Sequence, residues 1–310
     1  LKGFKKADVP FMELELRPSQ FFDLDLTLCC GQAFRWKKLD GWWYGIVKDK
    51  PLKVRQKGNV VEFENVSPEF IEAYFGLRDD LPSILAQITR DHHIEKAVKT
   101  LKGLRILRQD PWECLISYIC ATYKNIPAIK RMLSNMAERF GEKMLLEGRV
   151  FYAFPTAEKL AEASPKDLAE CGLGYRAKYV SETAKKVAGG EFKIEDLKAE
   201  SFRKARESLL TLPGVGPKVA DCVLLFSLEK LEAFPVDVWI KRIIIGHYGS
   251  FFEKSFIEKV SLKKSLTRSE YERISLFGRE YFGVYAGYAQ EYLFHFERAV
   301  ANKPRLGFSP

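Results

Sequence analysis

The spacing of apolar residues changes once along this chain, at Ser67, and that change constrains the fold more than any other feature. Before it, Met12, Leu14 and Leu16, and later Val60, Val61 and Phe63, alternate around charged neighbours as half-buried strands do. Asp40-Gly41 separates QAFRWKK from WWYGIVK, a strong signal for a hairpin turn. After Ser67 the period becomes helical: Phe70, Ile71, Tyr74 and Phe75 fit one helix face, and nearly everything beyond reads as helices joined by short Gly or Pro loops. Two later boundaries are sharp. Asp110-Pro111-Trp112-Glu113 supplies an N-cap carboxylate, a proline in the first turn and an acid at the third position, opening a helix with Leu115, Ile116 and Ile119 inward. Gly189-Gly190 closes a helix that starts near Tyr175. The expectation is an α+β protein: an antiparallel β-rich N-terminal domain with trailing helices over 1–108, then a mostly α-helical region over 109–310.

With 310 residues, 46% of them hydrophobic, the chain can bury an ordinary core. Lys and Arg exceed Asp and Glu by 50 to 41, a net charge of +9, which permits a polyanionic partner without requiring one. No run of about 18 apolar residues occurs, which excludes a spanning helix and a membrane partner. LKGFKKADVP has no apolar stretch of the secretory kind. Cys29, Cys30, Cys114, Cys120, Cys171 and Cys222 form no CxxC pair, which argues against structural zinc and disulfides and for a reducing, intracellular compartment.

The segment 201–247 carries the chemistry. A helix with Phe202, Ala205, Leu209 and Leu210 on one face runs into Leu212-Pro213-Gly214-Val215-Gly216-Pro217-Lys218, and a second helix follows through Val219, Cys222, Val223 and Phe226. The two glycines are read as permitting backbone conformations closed to other residues, and the free N–H groups that open the second helix make a seat for phosphate. A plain helix connection with glycine caps is the alternative. Lys218 lies in the first turn of that helix, where the positive helix end, and burial if present, favour the neutral, nucleophilic amine. A lysine that merely binds phosphate or solvent is its ordinary counterpart. Cys222 lies one turn on and would share a pocket with it.

Phe234-Pro235-Val236-Asp237-Val238-Trp239 then opens another helix whose buried face is Ile240, Ile243 and Ile244. Asp237 occupies the N-cap, where backbone N–H groups should hold it ionised and ready to stabilise a cation; it could equally be a simple cap. Asp221 competes as the functional carboxylate, although three residues from Lys218 it reads better as a surface ion pair.

LPGVGPKVADC followed by FPVDVW resembles the helix-hairpin-helix DNA glycosylase signature. GQAFRW at 31–36, QDPWECLISYIC at 109–120, GLGYRAKYVS at 172–181 and YAGYAQEYLF at 285–294 extend the resemblance to the 8-oxoguanine DNA glycosylases, in that family's order along most of the chain. The resemblance implies a β-rich N-terminal domain and two helical domains, with the helix-hairpin-helix at 202–228 and an oxidised guanine flipped out of duplex DNA between them. Lys218 would attack C1′ and Asp237 would stabilise the sugar cation. The Gly31 carbonyl would accept from the N7 proton that distinguishes 8-oxoguanine from guanine, Cys222 and Phe294 would sandwich the base, and Gln290 would read its Watson–Crick edge. Tyr175 would be a wedge in the vacated stack, Arg176 a contact to the orphaned cytosine, and the main chain of Gly214, Gly216 and Val219 a phosphate grip.

The family also implies a structural cation on the carbonyls of Leu210, Leu212 and Val215, no required cofactor, and a monomer acting on double-stranded DNA. Iron–sulfur relatives carry four cysteines after the catalytic region, whereas the last here is Cys222, so no cluster is expected. Three positions depart from the animal-type pattern: Trp239 stands for a histidine, Tyr123 for an asparagine that fills the gap beside the flipped base, and Ala128 for an arginine that holds the cytosine. The first change bears on the electrostatic surroundings of Lys218 and the other two on opposite-base selectivity, so relaxed selectivity is expected. Two other readings stay open, a glycosylase of the superfamily for alkylated purines and a non-catalytic DNA-binding module. Elsewhere, His92-His93 reads as a surface pair without a third metal ligand in the nearby sequence, Lys96, Lys99, Lys102, Arg105 and Arg108 as a solvated stripe, and Trp36, Trp42 and Trp43 as β-domain core.

Overall fold

The computed structural model describes residues 11–301, with side chains to 299. The N-terminal part runs β1 (Met12–Glu15), α1 (Leu24–Cys29), β2 (Lys37–Leu39), β3 (Trp42–Val47), β4 (Lys50–Lys57) and β5 (Val60–Glu64), then α2 (Pro68–Tyr74), α3 (Leu81–Ile88) and α4 (His92–Thr100). After a long extended connection come α5 (Pro111–Ala121), α6 (Ile126–Phe140), a hairpin of β6 (Lys143–Leu146) and β7 (Arg149–Tyr152), α7 (Ala157–Glu162), α8 (Pro165–Leu168) and α9 (Arg176–Ala188). The chain ends with α10 (Phe202–Leu209), α11 (Pro217–Ser227), α12 (Val238–His247), α13 (Lys254–Ser261), α14 (Arg268–Phe282) and α15 (Ala286–Ala301).

Five strands form one antiparallel sheet in the order β1-β5-β4-β3-β2, with Trp43 opposite Val54 and Val54 opposite Phe63. Asp40 and Gly41 both take positive φ (50° and 80°), the twist a two-residue hairpin needs. One sheet face buries Trp43, Leu52, Val54, Val61 and Phe63 against Ile71, Tyr74 and Phe75 of and beside α2. Trp36, Trp42 and Trp43 are buried, as expected of β-domain core.

Three sequence expectations need correction. The stretch 11–65 is not all strand, because Asp23 caps Leu26 N and starts the helix α1. The later region is not all helix: β6 and β7 pair across Glu147-Gly148, both at positive φ, a turn without the usual Asn or Asp signal. That hairpin covers the second face of β3, with Phe151 stacked on Tyr44 at 5.7 Å and Glu147 accepting from Lys53 and the Tyr44 hydroxyl, both at 2.7 Å. Finally, the cationic stripe ends early: Lys96, Lys99 and Lys102 are exposed, but Arg105 is fully buried and donates to the carbonyls of Phe21, Gly76 and Asp79. Arg108 pairs with Asp79 at 2.7 Å.

The apolar faces of α3 and α4 belong to the larger helical core, so packing does not follow a boundary at residue 108. That core also takes in Cys30 and Phe34 from the N-terminal loop. The loop and the helical bundle therefore share one interior.

Candidate active site

The site is built at two helix N-termini. In the hairpin Gly214 has φ +77°, and a Cβ there would lie 2.7 Å from the Tyr179 Cβ, so only glycine fits. Gly216 is different. Its backbone is extended (φ −93°, ψ 179°), which any residue can adopt, and a Cβ would meet nothing within 4 Å. The second glycine thus supplies open space in front of α11 rather than a special conformation. Helix α11 has no side-chain cap, in contrast to α5 and α12, capped by Asp110 and Asp237, so its first N–H groups are available to an anion.

Lys218, the second residue of α11, is half-buried, with Nζ over the ring of Tyr118 at 4.6 Å. Tyr118 is buried on α5 and donates its hydroxyl to the Gln32 carbonyl at 3.1 Å, and Gln109 donates to the same carbonyl at 2.7 Å. The Gln32 side chain in turn donates to the Arg105 carbonyl and accepts from Leu107 N, both at 2.8 Å. The Gly31-Gln32 loop is thereby tied to the helical core beside the lysine.

Asp237 caps α12 through Oδ1, which accepts from Trp239 N and Ile240 N at 2.9 Å each. Burial pushes its carboxyl above the ordinary value, against the opposing pull of the cap N–H groups and the Lys218 charge. The expectation of a strongly held carboxylate omitted this burial. Lys218 and Asp237 are within electrostatic reach of each other and of Cys222, whose thiol burial pushes up to about 12. Asp221 does not join them. It is 0% exposed, accepts from Arg206 Nε at 2.5 Å and from the Tyr271 hydroxyl at 2.6 Å, and is an internal ion-pair partner of Arg206 rather than a surface partner of Lys218.

Helix α15 comes within electrostatic reach of Cys222 and Asp237 through Glu291 and Arg298. Gln290 is buried with Oε1 lacking a hydrogen-bond partner, and Phe294, one turn on, is half-buried. Gly31 has φ +111°, and a Cβ there would lie 2.6 Å from Arg298 Nη1 and 3.0 Å from Ile126 Cδ1. Arg298 lies over the Phe294 ring at 5.0 Å and donates to the Cys29 carbonyl at 3.0 Å through Nη2, while its buried Nη1 has no partner. Glu291 is buried with Oε1 unpartnered, and desolvation pushes its carboxyl up to about 7 although Arg298 lies within electrostatic reach. Sequence reasoning missed Glu291, Arg298, Tyr118 and Gln32. The first two share the face of Gln290 and Phe294 at spacings of one, four and eight residues, a helical period that could have disclosed them.

At the surface, Tyr123 is 81% exposed at φ +54° and Tyr175 is 57% exposed. Between them Arg176 is 3% exposed, stacks on the Tyr175 ring at 4.4 Å, and donates to the carbonyls of Thr122 and Leu173. As placed, it tethers the Tyr123 turn to α9 and is not presented to a second strand. Trp239 is half-buried under Arg242 (5.3 Å), Ala128 is half-buried in the first turn of α6, and Val219 is buried beyond the hairpin. The Leu212 carbonyl accepts from Val215 N at 3.2 Å, and Leu210 ends α10.

Known proteins resemble this chain over nearly its whole length. Residues 14–115 match the 8-oxoguanine DNA glycosylase N-terminal domain, and residues 116–255 match the HhH-GPD superfamily of base excision DNA repair proteins. A probable N-glycosylase/DNA lyase of Methanothermobacter thermautotrophicus is 31% identical, covering 92% of this chain and 96% of that protein. The N-glycosylase/DNA lyase of Saccharomyces cerevisiae is 31% identical over 86% of this chain and 81% of its own. A solved structure of the Clostridium acetobutylicum 8-oxoguanine glycosylase/lyase, bound to double-stranded DNA with cytosine opposite 8-oxoguanine, superposes with a TM-score of 0.83 at 35% identity, covering 96% of this chain and 98% of that one. With a lysine and a capping aspartate at adjoining helix ends and relatives this similar over nearly its whole length, the chain belongs to the 8-oxoguanine N-glycosylase/DNA lyase family of helix-hairpin-helix repair enzymes.

Proposed function

We propose that this protein removes 8-oxoguanine from duplex DNA through a covalent intermediate on Lys218 and then cleaves the strand. The observation that carries this reading is that Lys218 and Asp237, from two helix N-termini, lie within electrostatic reach of each other and of Cys222; in this reading Gly31, Cys222, Gln290 and Phe294 surround the flipped base. The base must leave the stack, because the C1′–N9 bond is out of reach inside the duplex. The Lys218 amine forms a bond to C1′ as the bond to N9 breaks, and the base departs with the electron pair and takes up a proton. Asp237 faces the positive charge that grows on the sugar. The nitrogen lone pair then forms a double bond to C1′ as the C1′–O4′ bond breaks and O4′ takes up a proton; the resulting Schiff base acidifies C2′, so loss of that proton expels the 3′ phosphate by β-elimination.

Selectivity for the oxidised base rests on the Gly31 carbonyl, which accepts from a proton on N7 that guanine lacks. The Gln290 Oε1, buried without a partner, is an acceptor waiting for the Watson–Crick edge. Cys222 and Phe294 are the faces between which the base sits. The uncapped start of α11, with Gly214, Gly216 and Val219, seats a backbone phosphate, Trp239 lies beside it at the start of α12, and Tyr123 and Tyr175 occupy the vacated stack. Three neutral carbonyls of one turn, on Leu210, Leu212 and Val215, suit a hard cation that would brace the hairpin; no chemical step runs through it.

The test is single-turnover base release from a duplex with one 8-oxoguanine, compared with the same duplex carrying guanine or an alkylated purine. Fast release of 8-oxoguanine alone supports the reading. Preferential release of the alkylated base, or binding without release of any base, contradicts it.

A further inference from the structure

Away from the pocket, three side chains from three helices meet. His93 of α4 stacks on His247, the last residue of α12, with ring centroids 3.6 Å apart and planes 14° from parallel. Glu297 of α15 places Oε1 3.3 Å from His93 Nε2 and 3.6 Å from His247 Nε2, and the three ligand atoms all lie within 4.8 Å of one another. His93 is therefore not half of a surface pair with His92. It is half-buried, its Nε2 is buried without a hydrogen-bond partner, and the third ligand that the local sequence lacked arrives from residues 247 and 297.

An ordinary network of hydrogen bonds fits these distances poorly, since N–H···O bonds fall at about 2.7–3.2 Å. The ligand-atom separations are near those of a tetrahedral ion, although the ring planes are not yet turned toward one. With metal–nitrogen and metal–oxygen bonds of about 2.0–2.2 Å, the edge between two ligands is roughly 3.3–3.5 Å, close to both separations. Two imidazoles and one carboxylate, with a fourth position open to water, form a donor set suited to a borderline divalent ion. We propose that His93, His247 and Glu297 bind one Zn²⁺, in a site separate from the hairpin carbonyls and from the catalytic pocket.

Binding requires the stacked rings to part, because each lone pair lies in its own ring plane. His247 is exposed at the end of its helix and can make that rotation, while half-buried His93 and Glu297 stay in place. The ion would then fasten α4 to α12, whose other end carries Asp237, and to α15, which carries Gln290 and Phe294. Its role is to hold those two helices in register rather than to enter the reaction.

The experiment uses tag-free, chelator-stripped full-length protein carrying Cys29→Ser, which removes the one exposed thiol among the described cysteines. Zn²⁺ is titrated calorimetrically, and Co²⁺ is used as a spectroscopic substitute. The expected result is one equivalent bound with Kd below about 1 µM, ligand-field absorption of a tetrahedral nitrogen and oxygen site, and a melting temperature about 5 °C higher when zinc is a hundredfold above Kd. His247→Ala and Glu297→Gln, each checked for an unchanged circular dichroism spectrum, should weaken binding at least tenfold, whereas His92→Ala should bind normally. Absence of stoichiometric binding, retention of it in both His247→Ala and Glu297→Gln, or its loss in His92→Ala would overturn the proposal.

Discussion

Two aspartates near Lys218 have opposite fates, and the difference follows from what each side chain touches. Asp237 spends one oxygen on the cap of α12 and faces the lysine, whereas Asp221 is enclosed by Arg206, Tyr271 and Ser275. Asp237→Asn keeps an acceptor for the cap but loses the charge, so single-turnover excision should fall roughly 100-fold or more with little change in melting temperature. Asp221→Asn removes the fully buried charge that faces half-buried Arg206, which keeps Glu272 as a partner at 3.0 Å, so stability should fall by up to about 3 kcal/mol, the low end for breaking a buried pair. Chemical denaturation of both variants, alongside excision assays, separates the roles. Normal excision by Asp237→Asn, or a specific excision defect in a stable Asp221→Asn protein, would reverse the assignment. The sequence ranked Asp237 above Asp221 but paired Asp221 with the wrong cation at the surface, because Arg206 and Tyr271 reach it across 15 and 50 residues.

At the level of elements, the helices were legible because their ends carry local chemistry: Asp110 and Asp237 cap the helices expected of them, and Ser67 caps the helix at which the period changes. The β6-β7 hairpin was not, since its strands are four residues each and their partners on β3 lie about a hundred residues away. Helix α15 sets a buried acid, Glu291, into its inward face beside Gln290. Glu291 holds its proton in the folded protein to about pH 7, while the unfolded chain releases it near the ordinary value of 4.5. Between those values the unfolded state binds fewer protons, so this group lowers stability as pH rises through that window and the penalty persists above it. Glu291→Gln should remove the penalty. Its melting temperature relative to the parent should therefore improve from pH 5 to pH 8, by an amount corresponding to a few kcal/mol at most. An unchanged difference across that range would show that Glu291 is already ionised at pH 5, in the company of Arg298.

For the whole molecule, the fold class could be read from the sequence, while the inward turn of Arg176 could not. Arg176 matched a cytosine contact by motif, yet the folded chain turns it inward to the Thr122 and Leu173 carbonyls and leaves Tyr123 and Tyr175 outermost. Aromatic rings stack on any base, and good edge contacts are worth about 1–3 kcal/mol each. With Ala128 offering none, excision of 8-oxoguanine should proceed opposite all four bases, with rates spread by no more than roughly 10-fold. Four duplexes differing only in the opposite base, compared at fixed salt, check this; a preference for cytosine of 100-fold or more would mean that Arg176 swings out or that other residues read the partner strand. The central claim is that Lys218 itself becomes bonded to the DNA, and borohydride trapping on 8-oxoguanine duplex tests it most directly. The parent protein should give a stable covalent complex. Lys218→Gln should bind the same duplex but give none and release no base, whereas trapping by that variant would place the nucleophile elsewhere.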